Sequence, residues 1–216
     1  MHIEPGVLDA AKIASANIAA MGTLGASAFG VLRRPADLAK TLLAALFFSV
    51  FMQIWHMPVG PSELHLIGAS AIYFTFGFLP TLLGFALGLA LQGLLFEPQD
   101  LVHLGVNSLS LMVPLIAVHA AFGRRFFAGS GIETRWASAL RFDAAYYAGV
   151  VAMVGFWLAL GQEPTPLQSW ATFAASYLPL IALEPAFTLL VLKGLKRFEA
   201  TGPVRTFTVA PQLRLA

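Results

Sequence analysis

The chain has 216 residues, 58% of them apolar and only 11% charged, with a mean hydropathy of +0.76 and a formal net charge of +2. Soluble domains carry about 25% charged residues, so most of this surface must face lipid, and no nucleic-acid partner is expected. No cysteine is present; disulfides and thiolate sites are excluded, and any metal has to be held by nitrogen or oxygen donors.

The start, Met1-His2-Ile3-Glu4-Pro5-Gly6, lacks the positive n-region of a cleavable signal. Removal of an initiator methionine generally needs a small second residue. His2 is bulky, so Met1 is expected to stay, leaving a free amine directly before a histidine.

A bilayer core about 30 Å thick needs roughly 20 apolar residues per helix. Seven candidate segments follow in order, at 7–32, 38–55, 64–79, 80–96, 106–126, 137–160 and 170–192. In the first, Ala11, Ser15, Ala19, Thr23 and Ser27 recur every four positions. Small residues at that spacing let helices approach closely in lipid, either within the chain or against a partner membrane subunit. Before the third segment, Pro58, Gly60 and Pro61 predict a loop that turns sharply without regular hydrogen bonding. The run 64–96 would be about 50 Å long as a single helix, too long for one crossing. Gly77 and Pro80 divide it into two short helices, and the third is expected to be tilted or partly buried in the bundle. Gln92, His119, Asp143 and Glu184 fall inside spans, where lipid exposure is costly, so they are expected to face the interior.

Arginine and lysine set the topology. Arg33, Arg34 and Lys40 follow the first segment; Arg124, Arg125, Arg135 and Arg141 follow the fifth; Lys193, Lys196, Arg197, Arg205 and Arg214 follow the seventh. The loops at 56–63, 97–105 and 161–169 contain neither residue, and only Lys12 falls elsewhere. Seven spans place every basic loop on one side, as the positive-inside rule requires. The sequence therefore predicts an all-α, polytopic transmembrane bundle of about seven helices in the bacterial cytoplasmic membrane. Its N-terminus is expected outside and its C-terminus in the cytoplasm. A single transmembrane domain spans 1–196, and 197–216 forms a short cytoplasmic tail near the headgroups.

In this topology His2, His56, His65 and His103 all lie at the outer end. Interfacial histidines are also simply easy to solvate, but His2 has a particular chemistry. The terminal amine, the deprotonated amide nitrogen of residue 2 and its imidazole can close two fused chelate rings around one ion. That leaves a fourth corner of the plane open, a geometry that suits Ni(II) and Cu(II) and that Co(II) can accept. His65 is the candidate for that corner; capping of the next helix is the alternative. His56 and His103 are possible further ligands. Asn107 suits either the orienting of a ligand imidazole or a helix cap. Glu63 and Glu97 could draw cations inward or be solvated surface charge.

At these residues the chain resembles the CbiM/NikM family, the substrate-capture subunits of cobalt and nickel energy-coupling-factor ABC transporters. Its opening Met1-His2-Ile3 with Glu4 and Gly6, the stretch from Pro58 to His65, and Leu104-Gly105-Val106-Asn107-Ser108 with Pro114 carry the likeness. Pro179-Leu180-Ile181-Ala182-Leu183-Glu184 is a fainter echo. The resemblance implies a metal site of the Met1 amine, the His2 amide and imidazole, and His65, with Ni2+ or Co2+ as transported substrate. It also implies a transmembrane coupling subunit and ABC-type ATPase subunits as partners, with a small accessory membrane subunit besides. The chain departs from the family pattern at Leu66, where Pro is common, at Glu63 in place of a Ser, and at Glu97-Pro98-Gln99-Asp100. These departures leave the metal's identity open.

No phosphate-binding Gly-x-x-x-x-Gly-Lys-Ser/Thr loop exists, so ATP hydrolysis by that route belongs elsewhere. The rival readings are an intramembrane serine hydrolase using Ser70 with His119 as base, and an accessory membrane subunit without a substrate of its own.

Overall fold

The computed structural model describes residues 3, 6–59, 62–127 and 133–215. Helix α1 (Ala10–Leu32) begins where Asp9 accepts the Lys12 N–H at 3.0 Å, the usual service of an N-cap aspartate. Pro35 opens α2 (Pro35–Ile54), a position where its missing N–H costs nothing. Strands β1 (His56–Val59) and β2 (Ser62–His65) come next, then α3 (Ala69–Phe76) and α4 (Phe78–Leu95). A 3-10 turn at Pro98–His103 leads into α5 (Leu104–Ala121). After β3 (Glu133–Thr134) the chain forms α6 (Trp136–Ala159), α7 (Leu167–Ser176), α8 (Leu178–Arg197), α9 (Gly202–Phe207) and β4 (Arg214–Leu215).

Among the described residues, six stretches are long and apolar enough to cross a bilayer: α1, α2, α4, α5 with its leading turn, α6, and α7 with α8 taken together. The stretch 64–79 differs in kind from the helix expected there. Only Ala69–Phe76 is helical, and its eight residues are all buried. Such a helix is about 12 Å long; extended chain supplies the rest. Non-helical backbone at membrane depth is tolerated only where protein surrounds it, and α3 packs on α8, α2, α6 and α4. The break between α3 and α4 does fall at Gly77, which has φ +87°.

The loop expected to lack regular hydrogen bonding is instead an antiparallel hairpin pairing His56 with His65, Met57 with Leu64, Pro58 with Glu63 and Val59 with Ser62. Pro58 is accommodated because β1 is an edge strand. The last apolar segment is divided at Tyr177 into α7 and α8, with Pro179 in the first turn of α8. The tail does not simply lie among headgroups. Val209, Ala210 and Leu213 are buried, the Val209 N–H donates to the Thr75 carbonyl at 2.7 Å, and β4 pairs in parallel with β3. It thereby covers the C-terminal end of α3.

Close helix approach depends on glycine at several positions, Gly84 and Gly68 among them. A Cβ on Gly84 would lie 2.6 Å from the Ala44 Cβ, so α4 seats directly on α2. Gly68, at the entrance to α3, has φ +66°, and a Cβ there would lie 2.5 Å from the Phe51 ring. The small-residue stripe of α1 does not form the intramolecular seam. Ala11, Ser15 and Ala19 are exposed, whereas Ala16 and Ala20 are the buried positions.

The left-handed conformation alone costs an ordinary residue about 1–2 kcal/mol. Gly68→Ala should therefore lower the thermal unfolding midpoint of the detergent-purified protein, with displacement of Phe51 adding to the loss. Gly194→Ala, on an exposed turn of α8 with nothing within 4 Å, should leave the midpoint unchanged or slightly raised.

Candidate metal centre

The hairpin register builds the cluster. Side chains alternate across a strand, so His56, Pro58, Glu63 and His65 share one face. His56 and His65 stand directly opposite each other, their rings stacked at 5.7 Å between centroids. Glu63 reaches both. One carboxylate oxygen meets His56 Nδ1 at 2.7 Å and the other meets His65 Nε2 at 3.0 Å. His65 is 2% exposed, whereas His56 is open to the surroundings. Glu63 thus holds the Nε2 side of the His65 ring. A carboxylate that holds one ring nitrogen fixes ring orientation and makes the other more basic.

His65 does not cap a helix; it ends β2, and α3 starts four residues later. The Leu66 N–H donates to the Trp55 carbonyl at 3.1 Å and closes the base of the hairpin.

Met1 and His2 lie outside the described residues, but their neighbour Ile3 is placed firmly. It is fully buried, forms an antiparallel bridge with Ser62, and donates its N–H to Asn107 Oδ1 at 3.1 Å. Ser62 is three residues from His65 in the same strand. Further along, the Val7 carbonyl accepts the Gln162 N–H at 2.9 Å. The leading segment is thus pinned to the hairpin, to α5 and to the loop after α6.

These contacts give the Leu104-Gly105-Val106-Asn107 stretch a physical meaning. Gly105 donates its N–H to Asn17 Oδ1 at 3.0 Å, and a Cβ there would lie 2.3 Å from that oxygen. α1 and α5 can touch only because the side chain is absent. Asn107 sits in the first turn of α5, not at its cap, and is spent on Ile3.

His103 is 1% exposed, and both of its ring nitrogens lack a hydrogen-bond partner among the described residues. No hydrogen bond or ring contact joins it to the hairpin. The described residues alone contain no group of three or more His, Asp or Glu able to hold a metal ion; His65 would need donors from outside that set.

The hydrolase pairing is not formed. Ser70 Oγ donates to Asp143 Oδ2 at 2.8 Å and lies 2.6 Å from Thr188 Oγ1, while His119 Nδ1 meets the Tyr73 hydroxyl at 2.7 Å and its ring stacks on Phe78. Gln92, Asp143 and Glu184 are buried, as their cost in lipid required. Glu184 had no assignable role in the sequence. In the fold its carboxylate accepts the Gly68 N–H at 3.1 Å and the Tyr147 hydroxyl. The Pro179–Glu184 motif was the only sign of it.

A family model for the cobalt uptake substrate-specific transmembrane region, CbiM, matches residues 2–201. A crystal structure of a transition metal transporter shares the fold with a TM-score of 0.72 at 20% identity, over 96% of this chain and 97% of that one. No curated protein matches the sequence.

Replacing Asn107 by Ala leaves the buried Ile3 N–H without its acceptor, a loss of about 1–3 kcal/mol. Amide exchange at Ile3 should accelerate in Asn107→Ala, while exchange in the middle of α4 stays as it was.

Proposed function

The chain belongs to the CbiM family of cobalt uptake substrate-specific transmembrane regions, and from that premise we propose that it captures Ni2+ or Co2+ at its outer face for an energy-coupling-factor transporter. It is a transporter component in the membrane, not an enzyme. The observation that carries the proposal is the anchoring of Ile3. The residue that follows His2 is bridged to Ser62 and bonded to Asn107, so the leading end of the chain joins the strand that presents His65.

The Met1 amine and the His2 amide and imidazole supply three nitrogens, and His65 the fourth. Glu63 orients His65, and its charge favours a cation in the mouth of the site. His56, stacked on His65 and bonded to the same carboxylate, acts on the ligand's orientation. His103 is the reserve ligand, since its nitrogens are buried without partners. Nitrogen donors accept either metal, and selectivity follows from geometry.

The hairpin end faces outward and the Arg-rich end inward, by the charge rule. Release then needs a transmembrane coupling subunit and ABC-type ATPases. The exposed face of α1, with its Ala11, Ser15 and Ala19 stripe, offers a docking surface for such a subunit. Ser15, Thr23 and Ser27 each bond a carbonyl one turn back, which leaves that face without unmet hydroxyl donors.

Adding one residue before Met1 removes no side chain but displaces the amine and should abolish tight binding in a nickel titration. Undiminished affinity would refute the chelate. His65→Ala should weaken binding by more than the roughly 10–100-fold that loss of an outer-shell partner costs. An unchanged metal absorption spectrum in that variant would move the fourth ligand to His56 or His103. Saturable binding separates capture from an accessory role. Protons compete for the amine, amide and imidazole, so affinity should fall as pH is lowered; a flat pH profile would count against nitrogen ligation.

A further inference from the structure

Glu184 lies in α8 with 2% of its surface exposed, and no Lys, Arg or His pairs with it among the described residues. A carboxylate so placed needs another source of stabilisation, and the fold supplies one. The Gly68 N–H donates to Oε1 at 3.1 Å, and the Tyr147 hydroxyl donates to the same oxygen. Gly68 stands at the buried entrance to α3. Four N–H groups at a helix start lack intrahelical partners, and the residue at this cap is Gly68, which has no side chain to offer. α8 therefore caps α3 from outside.

The location of that cap matters. Gly68 is three residues after His65, a reach of at most about 10 Å. The linker is held at both ends: the Leu66 N–H on the Trp55 carbonyl, and the Gly68 N–H on Glu184. Between them the chain changes from strand to helix through a left-handed glycine. Without Glu184, the buried Gly68 N–H would lose its acceptor, and the junction leading from His65 into α3 would be held from the hairpin side alone.

We propose that Glu184 is a positioning residue for metal capture: by capping α3 in trans, with Tyr147 holding its carboxylate, it fixes the strand-to-helix junction that presents His65 to the ion. The proposal rests on the reading of His65 as a ligand. Glu184 touches no ion itself and acts through the junction. It also ties the hairpin to α8, so a rotation of α8 is transmitted to the histidine.

The test uses the full chain in detergent, with Ni2+ alone as the probe. Glu184→Ala should weaken nickel binding about 10–100-fold, the range for a residue that orients a ligand, and should shift the absorption band of the bound ion. Glu184→Gln keeps an oxygen that accepts from Gly68 and should restore most of the affinity and the band position. Phe48→Ala opens a cavity in the α2–α4 seam, away from the junction, and controls for stability: it should melt at lower temperature yet keep wild-type affinity and band. Wild-type binding by Glu184→Ala, or an equal loss in Phe48→Ala at matched destabilisation, would overturn the proposal. A metal-free arm separates it from the capture reading. Amide exchange over residues 62–68 should quicken in Glu184→Ala and not in Phe48→Ala. Quickened exchange in a protein that binds no nickel would keep the junction anchor and remove the capture reading; unchanged exchange would remove the anchor whatever nickel does.

Discussion

Extended backbone has no place in lipid, because each unpaired N–H or C=O there costs several kcal/mol. This chain nevertheless puts the end of a hairpin, a three-residue linker and an eight-residue helix where the third membrane helix was expected. The rest of the bundle is arranged around that exception. The hairpin pairs its own strands and takes Ile3 as a further partner. Trp55 closes its base, Glu184 takes the N–H at the entrance to α3, and the Val209 N–H satisfies the Thr75 carbonyl near its exit. Long helices on several sides then exclude lipid.

The start of α3 is where the polar groups of the interior converge. Glu184 meets Gly68, and Asp143 meets Ser70, which also contacts Thr188. Tyr146, Tyr147 and Tyr177 are fully buried beside them, with Tyr147 stacked on Tyr177. A helix N-terminus carries partial positive charge, which suits two carboxylates that have no basic partner among the described residues. Such a network is costly when incomplete and specifies position when satisfied. Apolar side chains alone would let α3 slide against α6 and α8. Hydrogen bonds with fixed partners do not.

The end of the bundle that carries Ile3 follows the same economy. Gly105 admits Asn17, which lets α1 lie on α5, and Asn107 on the next turn-facing position holds Ile3. A short polar motif thus does two jobs, one of packing and one of anchoring. Both depend on a few small or polar residues and not on the identity of the apolar ones. The fold is accordingly shared with a transition metal transporter at only 20% identity.

Composition was enough to read a helical membrane bundle, because burial in lipid demands long apolar runs. The break at Gly77 and the interior place of Gln92, Asp143 and Glu184 were legible for the same local reasons. The hairpin was not. Its prolines and glycine read as an irregular turn, and strand pairing depends on partners across the loop and on Ile3, some 60 residues away in the chain. Nor could sequence show that α3 is short, since an apolar run buried by protein looks like one buried by lipid. Only tertiary structure decides which of the two surrounds it. The same holds for Glu184: its role depends on a backbone N–H 116 residues distant, and backbone donors leave no trace in the side-chain pattern.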